Sequence, residues 1–156
     1  MIVVTELNEE TQATPEMLDA LAFLLPQLSS SASPVTREEL VAMIRSDASH
    51  LLVATDDSTG AVVGSLTLVV FRIPTGVRAW IEDVVVDGAA RGRGVGEALN
   101  RFALDRAAAL GARTVDLTSR PTREAANRLY RRLGFEPRDT NIYRYNPDAD
   151  ALTRDA

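Results

Sequence analysis

The sequence contains no cysteine, no lysine and only one histidine, His50. The absence of cysteine excludes a disulfide framework, a thiolate metal site and an acyl-cysteine intermediate. A single histidine without cysteine leaves no metal-ligand spacing, and we therefore expect no metal. The first residues, MIVVTE, contain neither a basic leader nor a long apolar run, which predicts a cytoplasmic protein with no membrane partner.

Chain length and net charge indicate how many domains to expect and which partners to exclude. A chain of 156 residues suits one domain, and its net charge of −5 gives no reason to expect nucleic acid as a partner. We expect a single domain over residues 1–145 and a frayed tail over 146–156, which has little to bury. All 17 basic residues are arginine, whose planar donors suit phosphate and carboxylate groups.

Hydrophobic periodicity and turn residues predict hairpins followed by an alternation of helices and strands. The predicted elements are strand 2–7, helices 15–28 and 36–45, strands 50–55, 61–71 and 78–86, helix 95–110, strand 114–118, helix 123–133 and strand 142–145. Because a helix separates strand 84–86 from strand 114–118, these two should be parallel neighbours. The order of elements predicts a mixed sheet in an α/β (α+β) fold.

The most informative stretch is the junction between strand 78–86 and helix 95–110, which reads Arg-Gly-Arg-Gly-Val-Gly. The first N–H groups of a helix have no partner within it and carry the positive end of its dipole. Gly92, Gly94 and Gly96 remove β-carbons and permit positive φ, and Arg91 and Arg93 add cationic donors. The junction therefore predicts a pyrophosphate site, against the alternative of a tight turn with glycines for packing alone.

Two other phosphate loops do not fit this junction. A dinucleotide-binding G-x-G-x-x-G requires glycine where Glu97 or Leu99 stands, and a P-loop requires a lysine. The pattern that does match is R-x-x-G-x-G, from Arg91 to Gly96 after a Val-Val-Val strand. It resembles the GNAT superfamily of N-acetyltransferases, which hold the pyrophosphate of acetyl-CoA on such a loop.

A second segment carries the same resemblance. Residues 125–135, AANRLYRRLGF, are similar to the second signature of that superfamily, and the similarity is specific over 78–136. It implies a central mixed, mostly antiparallel sheet with a splayed parallel pair, flanked by about four helices. The run Ile81–Asp87 resembles glucosamine-6-phosphate N-acetyltransferases in particular.

The resemblance assigns roles to particular residues. Backbone groups of Val84 and Val86 would pair with the pantetheine arm, an N–H near Val84 would polarise the thioester carbonyl, and Tyr130 would protonate the leaving thiolate as general acid. Packing alone is the alternative for Tyr130. The cofactor-binding residues implied are Val84, Val85, Val86, Arg91, Gly92, Arg93, Gly94, Val95, Gly96, Glu97, Ser119, Asn127 and Tyr130.

Helix 123–133 should present two different faces. Asn127 and Tyr130 are three residues apart and share the cofactor face, whereas Ala126, Leu129 and Leu133 should form the core face.

The acceptor amine must lose a proton, and Glu82 is the candidate general base. On a regular strand Glu82 shares a face with Val84 and Val86, whereas Asp83 points the other way, although a bulge would shift this alternation. An exposed or ion-paired carboxylate is the alternative for Glu82.

These residues lead to one main function hypothesis and one alternative. The main hypothesis is an N-acetyltransferase that moves an acetyl group from acetyl-CoA directly to a primary amine of a small molecule or peptide. The alternative is a non-catalytic acyl-CoA-binding module, which needs neither a tyrosine acid nor a base. Helices 15–28 and 36–45 would be either a mobile cover over the acceptor or an exposed connection. The sequence does not decide whether the protein forms a homodimer.

Overall fold

The computed structural model describes residues 1–31 and 33–147 of the chain. Its elements are β1 (Ile2–Leu7), α1 (Pro15–Leu28), α2 (Arg37–Arg45), β2 (Ser49–Asp56), β3 (Val62–Ile73), β4 (Gly76–Val86), α3 (Val95–Ala109), β5 (Val115–Asp116) and α4 (Glu124–Arg132). The elements predicted up to residue 133 are confirmed, with ends that differ by no more than two residues.

Local signals explain where the first two helices begin. Thr14 Oγ1 accepts the N–H of Met17 at 3.2 Å. Thr36 Oγ1 accepts the N–H of Glu39 at 3.2 Å, while Glu39 Oε2 accepts the N–H of Thr36 at 2.9 Å. This reciprocal capping box satisfies amides that a helix cannot satisfy internally, and such a cap contributes about 1 kcal/mol.

The five strands form one sheet in the order β1-β2-β3-β4-β5. The first four are antiparallel neighbours, and β5 pairs with β4 in parallel. The parallel pair consists only of Ala79 with Val115 and Trp80 with Asp116. The two strands separate beyond Trp80, so the second half of β4 has no β5 partner. The splayed parallel pair is confirmed, but the pairing lies at residues 79–80 and not at 84–86.

The predicted strand 142–145 is wrong. Residues 141–146 have no regular secondary structure, and Ile142 and Tyr143 are 64% and 90% exposed. A strand needs a neighbouring ladder, and β5 offers an edge of only two residues. The predicted tail lies outside the described residues from position 148 onward.

Two hydrophobic clusters cover the two faces of the sheet. In β2 the side chains of Leu52 and Ala54 pack with α3, whereas those of Leu51 and Val53 pack with α1 and α2. This is the two-residue alternation of a strand that is covered on both sides. Helix α3 therefore lies flat on the sheet, with its first turn beside the open half of β4.

A buried polar group also connects the sheet to α3. Glu6 on β1 bonds His50 Nδ1 at 2.7 Å and accepts Arg106 Nε at 2.7 Å. Burial acts to raise the pKa of Glu6, but the hydrogen bonds with His50 and Arg106 outweigh it and hold that pKa below its ordinary value. The only histidine thus belongs to a structural ion-pair group.

Candidate active site

The loop between β4 and α3 ends in a set of free backbone amides. Gly92 and Gly94 adopt φ values of +76° and +79°, and a Cβ at either position would meet nothing within 4 Å. The first N–H of α3 that reaches a carbonyl is that of Ala98, which donates to Gly94 O at 2.9 Å. Within the described residues, the six N–H groups from Gly92 to Glu97 have no protein acceptor. They form a cradle for an anion at the positive end of a 15-residue helix.

These amides open into a cavity of about 790 Å³, a volume within the usual range for a small-molecule or cofactor site. Its walls are the half of β4 that has no β5 partner, the glycine loop, the first turn of α3 and one side of α4. The predicted cofactor residues that line it are Val84, Val85, Val86, Arg91, Gly92, Gly94, Val95, Gly96, Glu97 and Tyr130. Three predicted residues, Arg93, Ser119 and Asn127, do not line it.

The expectation for the Arg93 side chain is not met. Its guanidinium donates to Asp56 Oδ2 at 2.5 Å, and neither residue lines the cavity. Asp56 is the last residue of β2 and is buried. The physical reason is that a buried carboxylate needs a cationic partner, and this pairing occurs between residues far apart in the sequence.

Gly96 has a different role from the other two glycines of the loop. A Cβ on Gly96 would lie 3.3 Å from Leu129 Cδ2 and 3.8 Å from Val86 Cγ2. Its lack of a side chain therefore lets α4 approach the first turn of α3. Gly96 is therefore a glycine required for packing. The close approach of α4 to α3 at this residue brings α4 to the cavity.

Helix α4 places Tyr130 in the cavity wall. Tyr130 is 9% exposed and its ring meets the ring of Phe135 edge-on, with centroids 5.8 Å apart. The expected core face is wrong in part, because Tyr130 is the buried residue of α4 whereas Ala126, Leu129 and Leu133 are half-buried. The turn after the helix folds Phe135 back onto the tyrosine, and the Phe135 N–H donates to Tyr130 O at 3.0 Å.

Burial also sets the protonation state of Tyr130. It raises the pKa of the phenol above its ordinary value, and the nearby charge of Arg123 only partly opposes this. The hydroxyl therefore keeps its proton at neutral pH and can act as a donor.

A smaller cavity of about 170 Å³ adjoins the first and shares Tyr130 and Val84 with it. Glu82, Asp83 and Arg123 contribute its charged groups, and Leu28 at the end of α1 also lines it. The end of α1 is bound to the residues that follow β4, because Gln27 Oε1, which belongs to a residue lining the larger cavity, accepts the N–H of Gly88 at 2.9 Å. Residues of β4, of the segment after β5 and of α4 thus line this smaller cavity together.

The bulge that would shift the strand alternation around Glu82 is present in β4, although Glu82 and Val84 both line the smaller cavity. The register changes from Thr67 with Glu82 to Ser65 with Val85, and Asp83 has φ +50°. Ile81 packs in the same hydrophobic cluster as Val84 and Val86. The extra residue therefore separates the face of Glu82 from that of Val84 and Val86, and turns Asp83 to the smaller cavity.

Asn127 and Ser119 lie beside the cavity rather than in its lining. Asn127 Nδ2 donates to Arg120 O at 3.0 Å and so braces the turn that precedes α4. Ser119 Oγ is buried without a partner among the described residues. Their cofactor roles stay predictions.

Asn100 is a cavity residue that the sequence reasoning missed. It is fully buried in α3, donates through Nδ2 to Gly96 O at 2.8 Å, and its Oδ1 has no partner within the described part of the chain. The sequence does contain a signal for it. Asn100 is a polar residue at a position of α3 whose helical spacing places it on the buried face, one turn after Gly96.

Within residues 1–31 and 33–147, no group of three histidine or acidic side chains is placed to hold a metal ion. Over the same residues, no helix is both long and apolar enough to cross a membrane.

Known proteins share both the sequence pattern and the fold. The model of the Acetyltransferase (GNAT) family matches residues 15–135. The chain is 34% identical over 124 residues to glucosamine 6-phosphate N-acetyltransferase 1 of Oryza sativa subsp. japonica. This alignment covers 77% of the present chain and 72% of the rice protein. It is 36% identical over 91 residues to mycothiol acetyltransferase of Beutenbergia cavernae, which covers 58% of this chain and 30% of that protein.

Solved structures superpose on most of the chain. A Trypanosoma brucei acetyltransferase has a TM-score of 0.75 and 27% identity, covering 94% of this chain and all of that one (100%). Glucosamine-6-phosphate N-acetyltransferase of Arabidopsis thaliana has a TM-score of 0.75 and 22% identity, covering 93% and 98%, and so supports the fold. Since the family model spans most of the chain and the rice relative is matched over 72% of its length, this protein belongs to the Acetyltransferase (GNAT) family and is an acyltransferase.

Proposed function

We propose that this protein transfers an acetyl group from acetyl-CoA directly to the primary amine of a small molecule or peptide. The observation that carries the proposal is the cradle of six free amides from Gly92 to Glu97, which opens into a cavity walled by the half of β4 that has no β5 partner and by Tyr130. An amide cradle favours a diphosphate, and an unpaired strand favours an extended chain that carries amides of its own.

The open half of β4 supplies the second part of the cofactor site. Val85 and Val86 pair with β3 on one side, while the side from which β5 has departed has main-chain groups without a strand neighbour. These groups would bind the pantetheine arm as an added strand would bind. The diphosphate at α3 and the arm along β4 would place the thioester near Val84, between the two cavities.

Acetyl-CoA supplies the acetyl group as a thioester, and the residues around it would handle the charges of the transfer. As the amine nitrogen bonds to the carbonyl carbon, the carbonyl oxygen gains charge, which a main-chain N–H near Val84 would stabilise. Such a fixed donor contributes about 2.7–4 kcal/mol. Tyr130 would give its proton to the departing sulfur, and Glu82 would take the proton of the amine.

The acceptor space favours a small cationic molecule. Glu82 and Asp83 both line the cavity of about 170 Å³, and carboxylates attract an ammonium group. The rice relative carries the name of a glucosamine 6-phosphate N-acetyltransferase, which is consistent with a small amine as acceptor.

The proposal is tested by calorimetric titration of coenzyme A, followed by thiol release from acetyl-CoA with a panel of amines. We expect coenzyme A to bind and at least one small amine to be acetylated, with the product identified by its mass. In Tyr130→Phe, kcat should fall by about 10²-fold or more while the affinity for coenzyme A changes little, because the lost group acts on the sulfur only during transfer.

Tyr143→Phe is the matched control, because Tyr143 is 90% exposed and lies in neither cavity. It should behave like the original protein. Absence of coenzyme A binding at millimolar concentration would refute the proposal. Tight binding without thiol release for any amine would instead support a non-catalytic acyl-CoA-binding module.

A further inference from the structure

The amide cradle is built on a loop with little to hold it. Gly92 and Gly94 both have left-handed backbones with open space around them, and Arg91 is exposed. Among the described residues, only one side chain of segment 91–94 has a hydrogen bond or ion pair, that of Arg93 with Asp56. Glycine-flanked segments have much conformational entropy to lose, so this one side-chain anchor, together with the main-chain bond from the Ala98 N–H to Gly94 O, contributes to the order of the loop.

Asp56 is a rigid partner for that anchor. It is 4% exposed and ends β2, where its Oδ1 accepts the N–H and the hydroxyl of Ser58 at 3.1 Å and 2.7 Å. Its own carbonyl accepts the N–H groups of Thr59 and Gly60, which closes the β2–β3 turn. The Arg93 hydrogen bond first, and those of Ser58 second, hold the pKa of this carboxyl well below its ordinary value. Asp56 is therefore a fixed anion at neutral pH.

We propose that Asp56 is a positioning residue for the cofactor loop, which acts through Arg93 to hold the amides of Gly92–Glu97 convergent before the cofactor binds. This inference rests on the proposed use of acetyl-CoA. Arg93 is then a brace rather than a phosphate ligand. A loop ordered in advance spares the cofactor the entropic cost of ordering it, which increases affinity without any direct contact.

The ion pair between Arg93 and Asp56 is also compatible with a second role for Arg93, and experiment can distinguish the two roles. Arg93 would leave Asp56 and bind the diphosphate, so that Asp56 competes with the cofactor. In that case removal of the Asp56 charge would release Arg93 and strengthen binding. In the brace arrangement the same change loosens the loop and weakens binding. The direction of the change in Asp56→Asn therefore decides between them.

The test measures coenzyme A affinity by calorimetry in the unaltered protein, in Asp56→Asn, in Arg93→Gln and in the double variant. We expect each single variant to bind about tenfold more weakly, which corresponds to about 1.4 kcal/mol. The double variant should be no weaker than the weaker single variant, because both changes break one interaction. The KM for acetyl-CoA should rise while kcat at saturation is retained.

S-acetylpantetheine is the second probe, since it carries the thioester and the arm but no diphosphate. Its kcat/KM should be the same in all four proteins, a result that a general loss of structure would not produce. Glu10→Gln is the matched control, because Glu10 forms an ion pair with Arg45 at 2.6 Å, away from both cavities. If Asp56→Asn fails to fold, Asp56→Glu, which keeps the charge but displaces it, should show the same weakening.

Three results would each overturn the inference while leaving the proposed function intact. These are tighter coenzyme A binding in Asp56→Asn, unchanged coenzyme A binding in a folded Arg93→Gln, or a fall in kcat/KM for S-acetylpantetheine as large as the fall in coenzyme A affinity. Failure of the unaltered protein to bind coenzyme A would overturn both.

Discussion

Replacement of Gly94 by alanine separates backbone strain from cofactor binding, because the fold contains a matched glycine elsewhere. Gly94 and Gly111 have φ values of +79° and +81°, and a Cβ at either position would meet nothing within 4 Å. Gly94 precedes α3 beside the cavity, whereas Gly111 follows the same helix at its far end. Alanine at either site therefore introduces the left-handed backbone penalty without a steric clash.

The expected magnitudes follow from this equivalence. A left-handed conformation costs a residue with a β-carbon about 1–2 kcal/mol, so both variants should lose a similar free energy of unfolding. Only Gly94→Ala should also lose coenzyme A affinity, by about tenfold or more, because its loop can relieve the strain by turning the free amides away from the diphosphate. Gly111→Ala should bind coenzyme A as the original protein does.

Urea denaturation gives the stability of both variants, and calorimetric titration gives their affinity for coenzyme A. The reasoning is refuted if Gly94→Ala and Gly111→Ala are destabilised alike and also bind coenzyme A alike. Gly96→Ala is not a suitable probe, because its Cβ would press on Leu129 at 3.3 Å and would move α4 as well.

Four further predictions concern the rest of the site. Glu82→Gln should lower kcat/KM for the amine by about 10²-fold or more, and a full rate at every pH would assign the base to another group. Because burial raises the pKa of Tyr130 above its ordinary value, its proton should be retained through the mildly alkaline range, and a loss of kcat in that range that vanishes in Tyr130→Phe would contradict this. Asn100→Leu should raise the free energy of unfolding by about 1 kcal/mol in urea denaturation, since a buried acceptor without a partner costs about 1–3 kcal/mol, and a lower stability would show that its bond to Gly96 outweighs that cost. If α1 and α2 cover the acceptor, amide hydrogen exchange across residues 26–31 and 33–38 should slow when substrate binds, and unchanged protection would indicate an exposed connection.

The features that the sequence could predict are those decided by short-range energetics. The capping box of Thr36 and Glu39 needs only side chains three residues apart, and the left-handed glycines at 92 and 94 need only the lack of a β-carbon. The helix that follows them shows its core face through its spacing. For these reasons the order of elements up to residue 133, the mixed sheet and the glycine loop at the start of α3 were all predictable.

The features that the sequence could not predict depend on residues that meet only in the folded chain. The strand expected at 142–145 fails because β5 is too short to pair with it, and Glu82 leaves the face of Val84 because a bulge adds one residue to β4. A two-residue period contains no sign of such an insertion.

By itself the sequence determined that a helix of this family would present free amides to an anion, because backbone conformation and helix polarity are local properties. Only the tertiary structure decided that Arg93 turns to Asp56, that Gly96 admits α4, and that Tyr130 is buried in the cavity wall. Each of these depends on which partner lies within a few ångströms after folding, and separation along the chain does not reveal that distance.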